Sequence, residues 1–219
     1  MSTVDNDAEA AGTSPTRTYN SPRRRMQAAQ TRAAIVHAAQ ELFEKHGWIG
    51  TSMPRIARTA GVSVETVYST IGSKVAVMKV AIDLAVAGDD EPVALADRPE
   101  YAALGLEPTL RERARAAAQL MGAINKRTGA LDAALRQGAA VEDELAELVA
   151  TLDRSHRQET AAGGALIAGR PLRDTEFDEV WMLTSIAVYD LLVRDSGWGR
   201  DQYESWLTDR IEELFSRPT

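Results

Sequence analysis

The chain has no cysteine, which excludes disulfides, thiolate zinc sites and cysteine nucleophiles. It also has few aromatics, only 5% of residues, against 44% hydrophobic residues with many alanines. That balance disfavours a β-sandwich and favours closely packed helices. The three histidines, His37, His46 and His156, are scattered, and no HExxH, Walker loop, GxGxxG or GxSxG occurs. The expectation is a non-enzyme with no cofactor and no metal site. No run approaches the roughly 18 apolar residues of a membrane helix. The acidic start, Asp5, Asp7 and Glu9, is unlike a signal peptide, so the expected location is the cytoplasm.

What is present is a pattern centred on Thr51 to Lys74, TSMPRIARTAGVSVETVYSTIGSK. Ser52 is placed to cap a first short helix with Pro54 in its first turn, where a missing N–H costs little. Ile56, Ala57 and Ala60 make its apolar face. Gly61 supplies a left-handed stop, Val62 packs into the angle, and Ser63 caps a second helix with Thr66 at its third position. Two short helices joined by such a turn form a helix-turn-helix.

On the second helix Val67 and Ile71 point inward, which turns Val64, Glu65, Thr66, Tyr68, Ser69 and Thr70 outward or toward the seam. Small polar side chains of this kind suit the major groove of double-stranded DNA: Glu65 can accept from cytosine N4, and Ser69 and Thr70 can donate or accept. Tyr68 and Lys74 suit phosphate. Ser73 is the expected cap of the next helix, whose free N–H groups and the Lys74 ammonium would converge on one phosphate oxygen. The predicted DNA-contacting set is Arg25, Thr51, Ser63, Val64, Glu65, Thr66, Tyr68, Ser69, Thr70 and Lys74.

The residues Thr51, Ile56-Ala57, Ala60-Gly61-Val62-Ser63, Thr66-Val67-Tyr68 and Lys74 resemble the signature of the tetracycline-repressor (TetR) family of transcriptional regulators. With the flanking helices the resemblance covers roughly residues 28 to 85. It implies that the second helix enters the major groove, that Tyr68 and Lys74 contact phosphate, and that the remainder is a helical ligand-binding and dimerisation domain. Ile71 stands where the family most often has an aromatic. The run from Trp181 to Trp198 resembles the carboxy-terminal domain of many actinobacterial members.

Charge is polarised along the chain. The net charge is −7, yet residues 15 to 80 hold ten Lys and Arg against three Asp and Glu. A basic module inside an acidic whole attracts phosphates while limiting indiscriminate adhesion.

The predicted fold is all-α in three parts: a disordered tail over residues 1–22, a helix-turn-helix domain over 23–75, and a helical ligand-binding and dimerisation domain over 76–219. Arg23 to Arg25 are expected just ahead of a first helix over Met26 to His46, either placed to track phosphates or reach into the minor groove, or simply a solvated basic flank. A helix follows Lys74, then a loop over Gly88 to Pro99. Further helices are predicted over Thr109 to Lys126, Thr128 to Gln137, Val141 to Ala168 with a kink at Gly163-Gly164, Asp174 to Asp195 and Asp201 to Phe215. Glu142 and Glu144 are read as a solvated face. The last two helices are expected to pair across a two-fold axis.

The functional expectation is a homodimeric repressor, released from a palindromic operator by a small apolar effector, with Met121, Trp181 and Tyr189 as pocket walls. The alternative is a ligand-independent DNA-binding or architectural protein with a filled second core.

Overall fold

The computed structural model describes residues 22–89 and 95–217. The tail predicted over residues 1–22 lies outside them except for its last residue, as does part of the acidic loop. All described regular structure is helical, and no described helix is long and apolar enough to cross a membrane.

The first helix, α1, spans Pro22–His46. Arg23, Arg24 and Arg25 are therefore exposed side chains on its first turns and not an extended arm ahead of it. Proline is well suited to start a helix, and nothing after it breaks the run until Gly47 adopts φ +64°. Ile35, Val36, Ala39, Leu42 and Phe43 form the buried stripe of α1. Helices α2 (Met53–Ala60) and α3 (Val64–Thr70) follow, with Gly61 at φ 69° between them. Helix α4 spans Lys74–Ala87, its amino end capped by Ser73 Oγ, which accepts from the Ala76 N–H at 3.2 Å.

Of the predicted Gly88–Pro99 loop, residues 90–94 lie outside the described residues. A 3-10 turn covers Leu95–Asp97, and α5 spans Pro99–Leu106. The two helices predicted over Thr109–Lys126 and Thr128–Gln137 are one, α6, spanning Leu110–Ala139. Thr109 and Glu112 start it with a reciprocal capping box. Its interior Gly129 does not end it, because the missing Cβ makes room for Arg194, whose guanidinium would lie 2.5 Å from such an atom.

Helix α7 spans Asp143–Ala168, so Val141 lies before it and is exposed rather than opening its apolar stripe. Gly163 and Gly164 lie inside this helix and are buried, facing Leu104 and Leu172. They serve close packing.

The helix predicted over Asp174–Asp195 is interrupted. Helix α8 covers Asp174–Thr184, Ser185 turns extended at ψ 151° and caps α9 (Ile186–Tyr189), and a π-helical turn runs over Asp190–Asp195. Ser185 is the kind of residue that competes with a helix for backbone hydrogen bonds. The last helix, α10, spans Arg200–Ser216.

Two buried clusters organise these helices. One joins α1 to α4 with Leu131, Ala134 and Leu135 of α6 and Leu145 of α7. The other packs α5, the first half of α6, α8, α9 and α10 around Tyr203, Leu207 and Ile211. Helix α6 belongs to both, so the first cluster continues past residue 75.

Candidate nucleic-acid interface and effector cavity

The reading helix is held from behind. Val67 is fully buried while Glu65, Tyr68 and Ser69 are exposed and Val64, Thr66 and Thr70 are half-buried. Ser63 is exposed and caps α3, its Oγ accepting from the Thr66 N–H at 3.1 Å. Its hydroxyl also pairs with Thr66 Oγ1 at 3.0 Å, and Ser69 Oγ donates to the Thr66 carbonyl at 3.2 Å. These two contacts restrain the hydroxyls on the outward face. A hydrogen bond to its own backbone and one to Ser63 hold the Glu65 carboxyl below its ordinary range, so it stays an acceptor.

Two predicted contacts have other positions. Thr51 is 2% exposed, and its Oγ1 lies 2.8 Å from the Gly47 carbonyl and 3.0 Å from that of Leu42. Its one proton serves the turn between α1 and α2, and the side chain is not on the outer surface. Ser52 occupies the position before α2 without a side-chain capping bond.

Lys74 is half-buried, and its ammonium points back into the molecule. It donates to the Trp48 carbonyl at 2.6 Å and lies 3.8 Å from the centre of the Trp48 ring. Trp48 is the hub of a joint. Its backbone N–H donates to Gln137 Oε1 at 3.1 Å and its indole N–H to Glu142 Oε1 at 2.6 Å. Glu142 is thus a partner and not merely part of a solvated face. Gly138 lets Trp48 and Leu145 approach, since a Cβ there would lie 2.4 Å from Leu145 and 2.7 Å from Trp48. The available signal was a tryptophan directly after a helix-ending glycine, with Gln137-Gly138 far along the chain, and spacing alone does not connect them.

A cavity of about 420 Å³ lies among α4, α5, α6, α7 and α8. Ile82, Leu104, Leu120, Ile124 and Ile167 line it together with Met121, the one predicted wall residue that reaches it. Trp181 lies outside, packed against His156 with ring centres 4.5 Å apart. Tyr189 is also outside, buried edge-on against Tyr203 at 5.0 Å. Aromatics at helical spacing serve core packing here. Asp83, Thr128, His156 and Glu159 are lining residues that the sequence pattern did not single out. They come from three helices, so no local spacing relates them.

The arrangement of α1 to α4 defines a helix-turn-helix protein whose reading helix is exposed and whose following helix leads into an all-helical second half. Residues 35–80 match the model of the bacterial regulatory proteins, tetR family. No curated protein matches the chain in sequence. Among solved structures, one from Mesorhizobium loti described as a TetR-family transcriptional regulator has a TM-score of 0.65 at 18% identity, covering 86% of this chain and 96% of its own. One from Rhodococcus sp. with the same description has a TM-score of 0.59 at 17% identity, covering 86% and 100%. A transcriptional regulator from Pseudomonas aeruginosa has a TM-score of 0.61 at 15% identity, covering 92% and 95%. Residues 35–80 thus match that family's helix-turn-helix domain, and the fold around them is similar to that of these solved structures.

Proposed function

We propose that the protein is a homodimeric transcriptional repressor, without catalytic activity, that leaves a palindromic DNA operator when a small, largely apolar molecule fills its second domain. The observation that carries this reading is the placement of α4. Lys74, at its first turn, adjoins the reading helix, and Ile82, Asp83 and Val86, toward its other end, line the cavity. One rigid helix is thereby in contact with both candidate sites. Arg127 of α6 ties down its far end, donating to the Ala85 carbonyl at 2.6 Å and that of Val86 at 3.1 Å. A ligand that reshapes the cavity tilts α4 and alters the spacing of two reading helices across a dimer. To move such an equilibrium from almost wholly bound to almost wholly free, it must favour the released state by about 5 kcal/mol.

The cavity favours this reading over a ligand-independent regulator with a filled second core. Dimerisation through the last helices has a narrower basis than the sequence pattern implied. The apolar stripe of α10, Tyr203, Leu207, Ile211 and Leu214, is buried within the chain, leaving Met182 and Leu191 as the exposed large apolar residues of this region. They are the proposed centre of the two-fold contact.

In this reading Glu65, Ser69 and Thr70 face base edges, and Tyr68 and Lys74 take phosphate, with Lys74 swinging off Trp48 to reach it. Arg25, on an exposed turn of α1, adds backbone attraction. The test is fluorescence anisotropy of the purified protein on the DNA upstream of its own gene, beside a scrambled duplex, across several salt concentrations. Selective binding with a steep salt slope, lost in Tyr68→Phe combined with Lys74→Ala, is the expected result. Equal weak binding to both duplexes would overturn specific regulation at that site.

A further inference from the structure

We infer that the cavity selects an organic cation: an amphiphile with an apolar body inside the second domain and one ammonium-type group at Glu159. This inference rests on the reading of the cavity as the effector site.

The wall is mostly aliphatic, and the cavity's size fits a small drug-sized molecule. Its charged groups are unevenly matched. Four carboxylates line it, Asp83, Asp132, Asp153 and Glu159, against one guanidinium, Arg136. Arg136 is occupied by Asp132 at 2.8 Å and Asp153 at 3.2 Å. Asp83 is paired with Lys79 at 2.6 Å. Glu159 has no hydrogen-bond or ion-pair partner among the described residues, and burial alone pushes its carboxyl above the ordinary range. His156, the remaining basic group on the wall, is driven toward its neutral form by burial.

Glu159 is an exposed residue that also lines the cavity, which places its carboxylate at the rim, and Tyr101 lines the same cavity. An exposed carboxylate with no ion-pair partner is open to a ligand cation and contributes a screened charge contact. A ligand cation at this rim gains that contact while its apolar body displaces water from the aliphatic interior. An anionic ligand would meet a wall whose only guanidinium is already shared by two carboxylates. An amphiphile bearing a positive charge at one end satisfies both regions.

The test uses three probes with one apolar body: 6-phenylhexylamine, 6-phenylhexan-1-ol and 6-phenylhexanoate, titrated into the full-length protein by calorimetry near neutral pH. The expected order is amine, then alcohol, then acid, with roughly tenfold between amine and acid, as one screened charge contact allows. Glu159→Gln is expected to bring the amine down to the alcohol while alcohol binding persists, which shows the variant is folded. An alcohol or acid that binds as tightly as the amine, or an amine indifferent to Glu159→Gln, overturns the cation assignment and leaves the cavity reading intact. Failure of all three probes to bind overturns both. If Glu159→Gln loses the alcohol as well, Glu159→Asp decides: a retained amine preference supports the assignment and a lost one overturns it.

Discussion

The ammonium of Lys74 sits 3.8 Å from the centre of the Trp48 ring and 2.6 Å from the carbonyl oxygen of the same residue. Without DNA, the residue expected to meet phosphate is held by the joint between the two halves of the chain. Burial pushes its ammonium below the ordinary lysine range, and the nearby Glu142 carboxylate opposes that push.

Lys74→Ala is accordingly expected to act twice. It removes a charged hydrogen bond and a ring contact, together worth about 1–2 kcal/mol at a partly exposed site, which chemical denaturation of the free protein reads. It also removes one phosphate contact, reducing the salt slope of operator binding by about one. A stability loss with an unchanged slope would limit Lys74 to its role at the joint.

Thr51→Val separates a structural role from a DNA contact. The buried hydroxyl lies between two carbonyls, so its loss is expected to destabilise the protein by about 1–2 kcal/mol. The operator affinity of the folded protein should not change. A weaker operator affinity at unchanged stability would return Thr51 to the DNA surface.

Gly138→Ala tests the joint itself. A Cβ would come within 2.7 Å of both Leu145 and Trp48, so these buried groups must shift. The expected loss is about 1–3 kcal/mol, as for overpacking in a core, with a change in Trp48 fluorescence. A variant with wild-type stability and emission would mean that the joint yields without cost.

Glu176 sets a pH dependence. It is 2% exposed, and its carboxylate accepts from Arg170 at 2.7 and 2.8 Å, from the Arg173 guanidinium at 2.5 Å and from the Arg173 backbone N–H at 2.9 Å. These donors hold its carboxyl far below the ordinary value of 4.5. A depressed carboxyl contributes stability that is full above the unfolded-state value and is lost as pH falls toward the folded one. Glu176→Gln is expected to cost roughly 1–2 kcal/mol above pH 5, with both guanidinium groups partly solvated. The gap between variant and wild type in thermal melts should narrow below about pH 4.5. A gap that stays constant down to pH 3 would show that the clamp is not ionic.

The helix-turn-helix was legible because its determinants are local. Gly61 with its left-handed φ, the Ser63 and Ser73 caps, and the Val67 spacing each act over four residues or fewer. Further along, local cues misled. Thr128 and Gly129 look like a break, yet α6 continues because packing against the Arg194 region favours a glycine there. The Asp174–Asp195 run reads as one helix, yet Ser185 interrupts it and caps the short helix α9. Trp181 and Tyr189 share a helical pattern with core residues and pack as such, while Glu159, an ordinary polar position in sequence, stands at the rim of the cavity.

The helix-turn-helix and the outward face of its second helix are written in the amino-acid order itself, because capping, turn chemistry and a short apolar period are encoded within a few neighbouring residues. Folding in three dimensions settles which residues line the cavity, where Lys74 points without DNA, and how Trp48 joins the two halves. Those relationships link the turn after α1 to α6, to the residue ahead of α7 and to α4, and α4 to α6. They depend on packing between residues 26 to 94 positions apart, which no local pattern records.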